Sequence, residues 1–151
     1  MKILISVIVA AILSTLIVGC STLNTGNSAL AKQINVFGAV PFSTADFTEI
    51  NGIKAVEEPC IRGYDRNFDA LDIIIGYGFN KRIRKIITLN PATSMFGVTI
   101  GMTVDEARKR LHTAGFIENS KPNTFKNDPY SLTLLVKTKD TVSGLRLEII
   151  D

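Results

Sequence analysis

Histidine and cysteine are scarce in this chain. Its 151 residues include one histidine, His112, and two cysteines, Cys20 and Cys60. General acid–base chemistry near neutral pH needs a group that titrates there, and one histidine without a second leaves zinc short of its usual ligands. Cys-x-x-Cys, His-Glu-x-x-His and Gly-x-Ser-x-Gly are all absent. Asp65, Asn67 and Asp69 have the opening spacing of a calcium loop, but the sixth place holds no glycine and the twelfth no glutamate. Gly76-Tyr77-Gly78 precedes no helix, so it reads as a hairpin corner and not as a phosphate cradle. No cofactor or metal is expected. An excess of one charge is also missing: 17 Lys and Arg stand against 14 Asp and Glu. Lys2 supplies part of the net +3, so the rest of the chain is close to neutral. That argues against a nucleic-acid partner, which calls for a pronounced basic face, and leaves room for weak contact with anionic lipid or cell-wall polymer.

What is present begins at the N-terminus. Lys2 is followed by a nearly unbroken apolar run from Ile3 to Val18, closed by Gly19, Cys20 and Ser21. A positive start, an apolar middle and a small-residue end make a secretory signal. The segment resembles a bacterial lipoprotein signal, whose lipobox ends in an invariant cysteine; Ile17, Val18, Gly19 and Cys20 fill its four places. The resemblance implies that 1–19 is cleaved. Cys20 would then carry a thioether-linked diacylglycerol and an amide-linked acyl chain. The alternative is an uncleaved transmembrane helix. The run of about 16 residues falls short of the roughly 20 needed to cross a bilayer. Two or more acyl chains anchor firmly where one is marginal. The expected location is the bacterial envelope, on the extracytoplasmic side of the cell membrane, or of the outer membrane in a diderm host.

Lipidation of Cys20 leaves Cys60 as an odd thiol in an oxidising compartment. Glu57 and Glu58 precede it, and neighbouring carboxylates disfavour the thiolate. A buried, inert cysteine is expected. Residues 20–33 are polar and small and read as a flexible tether, and folding is expected to start near Ile34.

Phe-Gly-x5-Thr-x-Asp occurs at Phe37, Gly38, Thr44 and Asp46, and again at Phe96, Gly97, Thr103 and Asp105, 59 residues later. In the second copy Thr103 and Glu106 form a capping box. Val104, Ala107, Leu111 and Ala114 then give one apolar helical face, and Gly115 suits the C-terminal cap. Strands are expected from Phe116, over Ser131 to Lys137, and over Leu145 to Ile149, where apolar and charged residues alternate. The first copy follows the same plan: a short helix over Thr44 to Ile50, a turn at Asn51-Gly52, a short strand over Ile53 to Val56, and a hairpin from Ala70 to Leu89. The expected fold is therefore α+β, with two tandem helix-plus-antiparallel-sheet repeats over 34–93 and 94–151 after a cleaved signal peptide.

The stretch Phe96 to Ala107, with Gly101-Met102-Thr103 entering the helix, resembles the helix entry of beta-lactamase-inhibitor-protein-like domains, a group that includes small outer-membrane assembly lipoproteins. The first copy departs from it, with Pro41-Phe42-Ser43-Thr44 in that place. The resemblance implies a tandem sheet-and-helix binding module. Aromatic residues in or beside loops supply interface anchors, so Tyr64, Phe68, Tyr77, Phe79 and Tyr130 are the candidate interaction surface. The basic runs Lys81 to Lys85 and Arg108 to Arg110 read as solvated faces. The expected function is a non-catalytic, membrane-anchored module that binds a protein or envelope component. The competing reading is an envelope hydrolase or transferase working through carboxylates such as Asp69 and Asp72. Three apart, these two would point to opposite faces of a strand.

Overall fold

The computed structural model describes residues 25–137 and 140–150. The expected signal segment and lipobox, with Cys20, lie outside the described residues. The chain opens with helix α1 (Thr25–Ala31) and strand β1 (Ile34–Asn35), followed by the small hairpin β2 (Glu49–Ile50) and β3 (Ile53–Lys54). A four-stranded meander follows: β4 (Val56–Cys60), β5 (Gly63–Phe68), β6 (Ile73–Gly78) and β7 (Ile83–Thr88). Next come β8 (Ser94–Met95), β9 (Val98–Thr99) and helix α2 (Val104–Thr113). A second meander ends the chain: β10 (Ile117–Glu118), β11 (Thr124–Asn127), β12 (Tyr130–Val136) and β13 (Val142–Ile149).

The two meanders join edge to edge in one antiparallel sheet of eight strands, in the order β10-β11-β12-β13-β7-β6-β5-β4. Each meander thus contributes its last strand to the centre and its first to an edge. The 59-residue spacing recurs in the backbone. The Phe42 N–H donates to the Ile83 carbonyl (2.9 Å) and the Ile83 N–H to the Ser43 carbonyl (3.0 Å). Gly101, Val142 and Met102 repeat both bonds, each at 2.8 Å. Phe37 and Gly38 take positive φ (49° and 81°), as do Phe96 and Gly97 (53° and 78°). The junctions between halves carry the same spacing: Asn35 faces Ser94 across β1 and β8, and Ile87 faces Arg146 across β7 and β13.

Cross-strand register separates the two faces of the sheet, because directly paired residues share a face. One row runs Glu57, Arg66, Ile75, Ile86, Leu147, Leu132, Phe125, Glu118. Its five apolar members are at most 1% exposed. Each contributes about 1.5–3 kcal/mol by burial, and together they form the centre of the core. Helix α2 packs Val104, Ala107 and Leu111 into that core, with Met95, Phe96 and Phe116 beside them. The next row on the opposite face runs Glu58, Asp65, Gly76, Lys85, Glu148, Ser131, Lys126, Ile117. Apart from Gly76, its side chains are exposed or half-buried.

Several expectations are corrected. Thr44 to Ile50 is not a helix: it is loop up to Thr48 and strand β2 from Glu49. The halves do not form separate sheets. The tether expected over 20–33 contains a helix in its second part, Thr25–Ala31, whose Leu30 packs against the core. The hairpin corner lies beyond Gly76-Tyr77-Gly78, which belongs to β6. Asp69 opens a 3-10 turn, and Asp72 closes it with φ 53°, so the two are not strand neighbours.

Candidate functional site

The exposed face of the sheet is a broad surface of mixed polarity, and its local chemistry follows from the strands beneath it. Asp65 on β5 and Lys85 on β7 are two strands apart, yet the Lys85 Nζ donates to Asp65 Oδ2 at 2.6 Å. Gly76 on the intervening β6 makes this reach feasible: a Cβ there would stand 2.7 Å from Lys85 Cε and 2.8 Å from Asp65 Oδ1. Arg146 similarly pairs with Glu148 at 2.8 Å along β13. Two adjoining shallow depressions of about 870 and 630 Å³ cross this face, sharing Arg62, Arg84, Glu148 and Ile149 in their walls. Lys121 and Lys126 line the larger one, and Cys60 and Ile61 the smaller. Phe79, 81% exposed, stands at the rim.

A second cluster lies towards the core side, around Arg66. This arginine is 8% exposed and occupies an inward position of β5. Its guanidinium hydrogen-bonds Asp46, and its Nε and NH2 donate to Glu57 Oε2 at 3.2 and 3.1 Å. It also lies 5.3 Å from the ring centroids of Tyr64 and Tyr77, which stack at 4.8 Å. Burial alone would lower the pKa of Arg66. The hydrogen bonds to Asp46 and Glu57 and the charge of Asp46 outweigh it and hold the pKa above its ordinary value. The Tyr77 hydroxyl accepts from the Phe47 N–H and donates to the Ala45 carbonyl, both at 3.0 Å. Burial raises the pKa of Tyr77. The cluster fixes the 45–47 loop where a helix was expected. Its polar groups are satisfied by one another, so it serves as a structural clasp.

The structure divides the candidate aromatic surface. Phe68, Tyr77 and Tyr130 are at most 2% exposed and belong to the core. Tyr64 is half-buried under Arg66, and only Phe79 presents its ring to solvent. The aromatics flank loops in sequence, but at Phe68, Tyr77 and Tyr130 they point inward from strand ends. Cys60 is free and exposed, contrary to the buried thiol expected. The strand that carries it is an edge with every residue exposed, so no neighbour covers it. Its Sγ lies 4.0 Å from Asp65 Oδ1.

Asn67 and Asp69 do not join Asp65 in a loop: Asp65 and Asn67 lie along β5 and Asp69 follows in the 3-10 turn. Among the described residues no three His, Cys, Asp or Glu side chains gather as metal ligands do. His112 places Nδ1 3.1 Å from the Phe116 carbonyl and its ring edge-on to Phe125. The two basic runs are on different sides. Arg108 pairs with Asp105 and Glu118, and Arg110 with Glu106, on the helix side. Lys85 is on the open sheet face.

Sequence reasoning missed Arg62, Lys121 and Lys126, of which Arg62 is remote in the chain from the other two and comes to the same depression only through strand order. It also missed Arg66, whose inward position breaks the apolar alternation expected of a strand. Comparison with protein-family models, with curated proteins and with solved structures found no significant match.

Proposed function

We propose that this protein is a lipid-anchored, non-catalytic binding module of the bacterial envelope, built from two tandem sheet-forming units. The anchor rests on Ile17, Val18, Gly19 and Cys20 at the end of the apolar run. The tandem reading is supported by the hydrogen bonds and positive-φ residues that recur at 59 residues. The first unit replaces the helix with the loop that Arg66 and Tyr77 hold. The observation that carries the binding reading is the asymmetry of the sheet: one face is core, and the other is open, with charged and hydroxyl side chains interspersed with Val56, Ile74, Ile87 and Ile117. Asp69 and Asp72, the carboxylates weighed for catalysis, open and cap a 3-10 turn.

A photoreactive amino acid placed at Ser131 on the open face, and separately at Thr113 on α2, tests this in cells. Adducts formed from Ser131 and not from Thr113 are expected. Equal labelling from both, or envelope-substrate turnover that Asp69→Asn or Asp72→Asn abolishes, contradicts the reading.

A further inference from the structure

We propose that the open sheet face is a binding groove for an extended polyanion, a chain carrying a phosphate or carboxylate at each repeat. This rests on the reading of that face as the binding surface and names its ligand class. The walls of the two adjoining depressions carry six cationic side chains, Arg62, Arg84, Lys85, Lys121, Lys126 and Arg146, against two carboxylates, Asp65 and Glu148. Both carboxylates are already engaged, with Lys85 and Arg146. By formal charge the described residues of these walls are net positive by four, whereas the whole chain is only +3. Of the other acids, Glu58 lies on this face outside the walls, Asp46 and Glu57 bind Arg66, and Asp105, Glu106 and Glu118 bind arginines of α2.

Spacing decides between a small anion and a polymer. Lys126 is on β11, Arg84 on β7, and Arg62 in the turn between β4 and β5. Five strand intervals separate β11 from β5, which at about 4.8 Å each is roughly 24 Å. One phosphate cannot meet both Lys126 and Arg62, whereas a chain with an anion every few ångströms can. Arginine suits both anions because its planar donors engage two oxygens at once. Between the charges, Ser131, Thr133 and Asn119 offer hydroxyl and amide groups to a polyol or sugar backbone. Phe79 offers an apolar face at the rim.

The full-length chain in neutral detergent micelles is titrated with poly(glycerol phosphate), polygalacturonate, neutral dextran, inorganic phosphate and single-stranded DNA. Poly(glycerol phosphate) or polygalacturonate is expected to bind with an affinity that falls steeply as salt rises. Dextran is expected to show none, and inorganic phosphate at equal phosphate concentration should fail to compete. Arg62→Glu combined with Lys126→Glu should weaken binding by tenfold or more, while Lys109→Glu on α2 should change it less than twofold. Circular dichroism verifies that both variants remain folded, and Arg62→Gln with Lys126→Gln serves if the charge reversal does not fold. Absence of binding by both polymers, equal loss in the α2 variant, competition by free phosphate, or preference for single-stranded DNA overturns the proposal. If the polymers do not bind while Ser131 still cross-links selectively to a protein, the polyanion groove fails and the binding-module reading stands.

Discussion

At the scale of single residues, the chain shows polar groups used as fasteners. Tyr77 is a core ring with a hydroxyl that satisfies two backbone groups of the 45–47 loop. Tyr77→Phe should cost about 1–2 kcal/mol, because one buried donor and one acceptor lose their partner, and amide exchange at Phe47 should accelerate. Burial raises the pKa of both Tyr77 and Tyr130. A phenol whose folded pKa exceeds its unfolded value of about 10 contributes stability that is fully present below that value. The contribution is lost as pH rises from there through the folded value. Urea midpoints should therefore hold steady for these groups up to about pH 10 and fall above it, with a shallower fall in Tyr77→Phe. Cys60 is the residue whose environment the sequence misreports. Its acidic neighbours are real, but exposure follows from the edge position of its strand, which only pairing reveals. The native protein should react with a thiol reagent at Cys60 about as completely as the unfolded protein does, measured as thiol released before and after denaturant. A native thiol that stays silent contradicts the exposed placement.

At the scale of elements, helix α2 and the hairpin of β6 and β7 were legible, and the first two strands of the first meander were not. Thr103 accepts from the Glu106 N–H at 3.2 Å, and the helix runs from Val104 to Thr113 with Ala114 as its C-cap and Gly115 at φ 86° beyond. Only half of the expected capping box is made: the Glu106 carboxylate turns to Arg110 at 2.7 Å. Thr103→Ala should cost about 1 kcal/mol, read as a shift in thermal midpoint together with faster amide exchange in the first turn. Strands β12, β13 and β7 were readable because their apolar residues alternate or run together. Strands β4 and β5 were not. In β4 every residue is exposed, and Glu57, Glu58 and Pro59 protect an edge against pairing with another chain. In β5 the inward positions are Tyr64, Arg66 and Phe68, and a buried guanidinium stands where a pattern search expects a hydrocarbon. The expected helix over Thr44 to Ile50 was overturned for the same reason. Asp46 matches Asp105 in sequence, but Arg66 draws it to the sheet, whereas Asp105 stays with Arg108 on its own helix.

At the scale of the whole molecule, one sheet joins the halves, and its centre is where they meet. Leu147 on β13 faces Ile86 on β7, and both are essentially inaccessible. Leu147→Ala should destabilise the protein by about 2–5 kcal/mol, and denaturation should remain a single transition because the core is shared. Two separate transitions would mean that the halves fold independently. The open face was legible as a binding surface only in outline. Near-neutral overall charge concealed the excess of cations over carboxylates in the walls of the two depressions. The function proposed for this surface depends on where the protein is held. That rests on Cys20, and metabolic labelling with a clickable fatty acid tests it most directly. Label on the wild-type chain that disappears in Cys20→Ala is the predicted result. Label that persists in Cys20→Ala, or a wild-type chain that takes up none, would contradict the account.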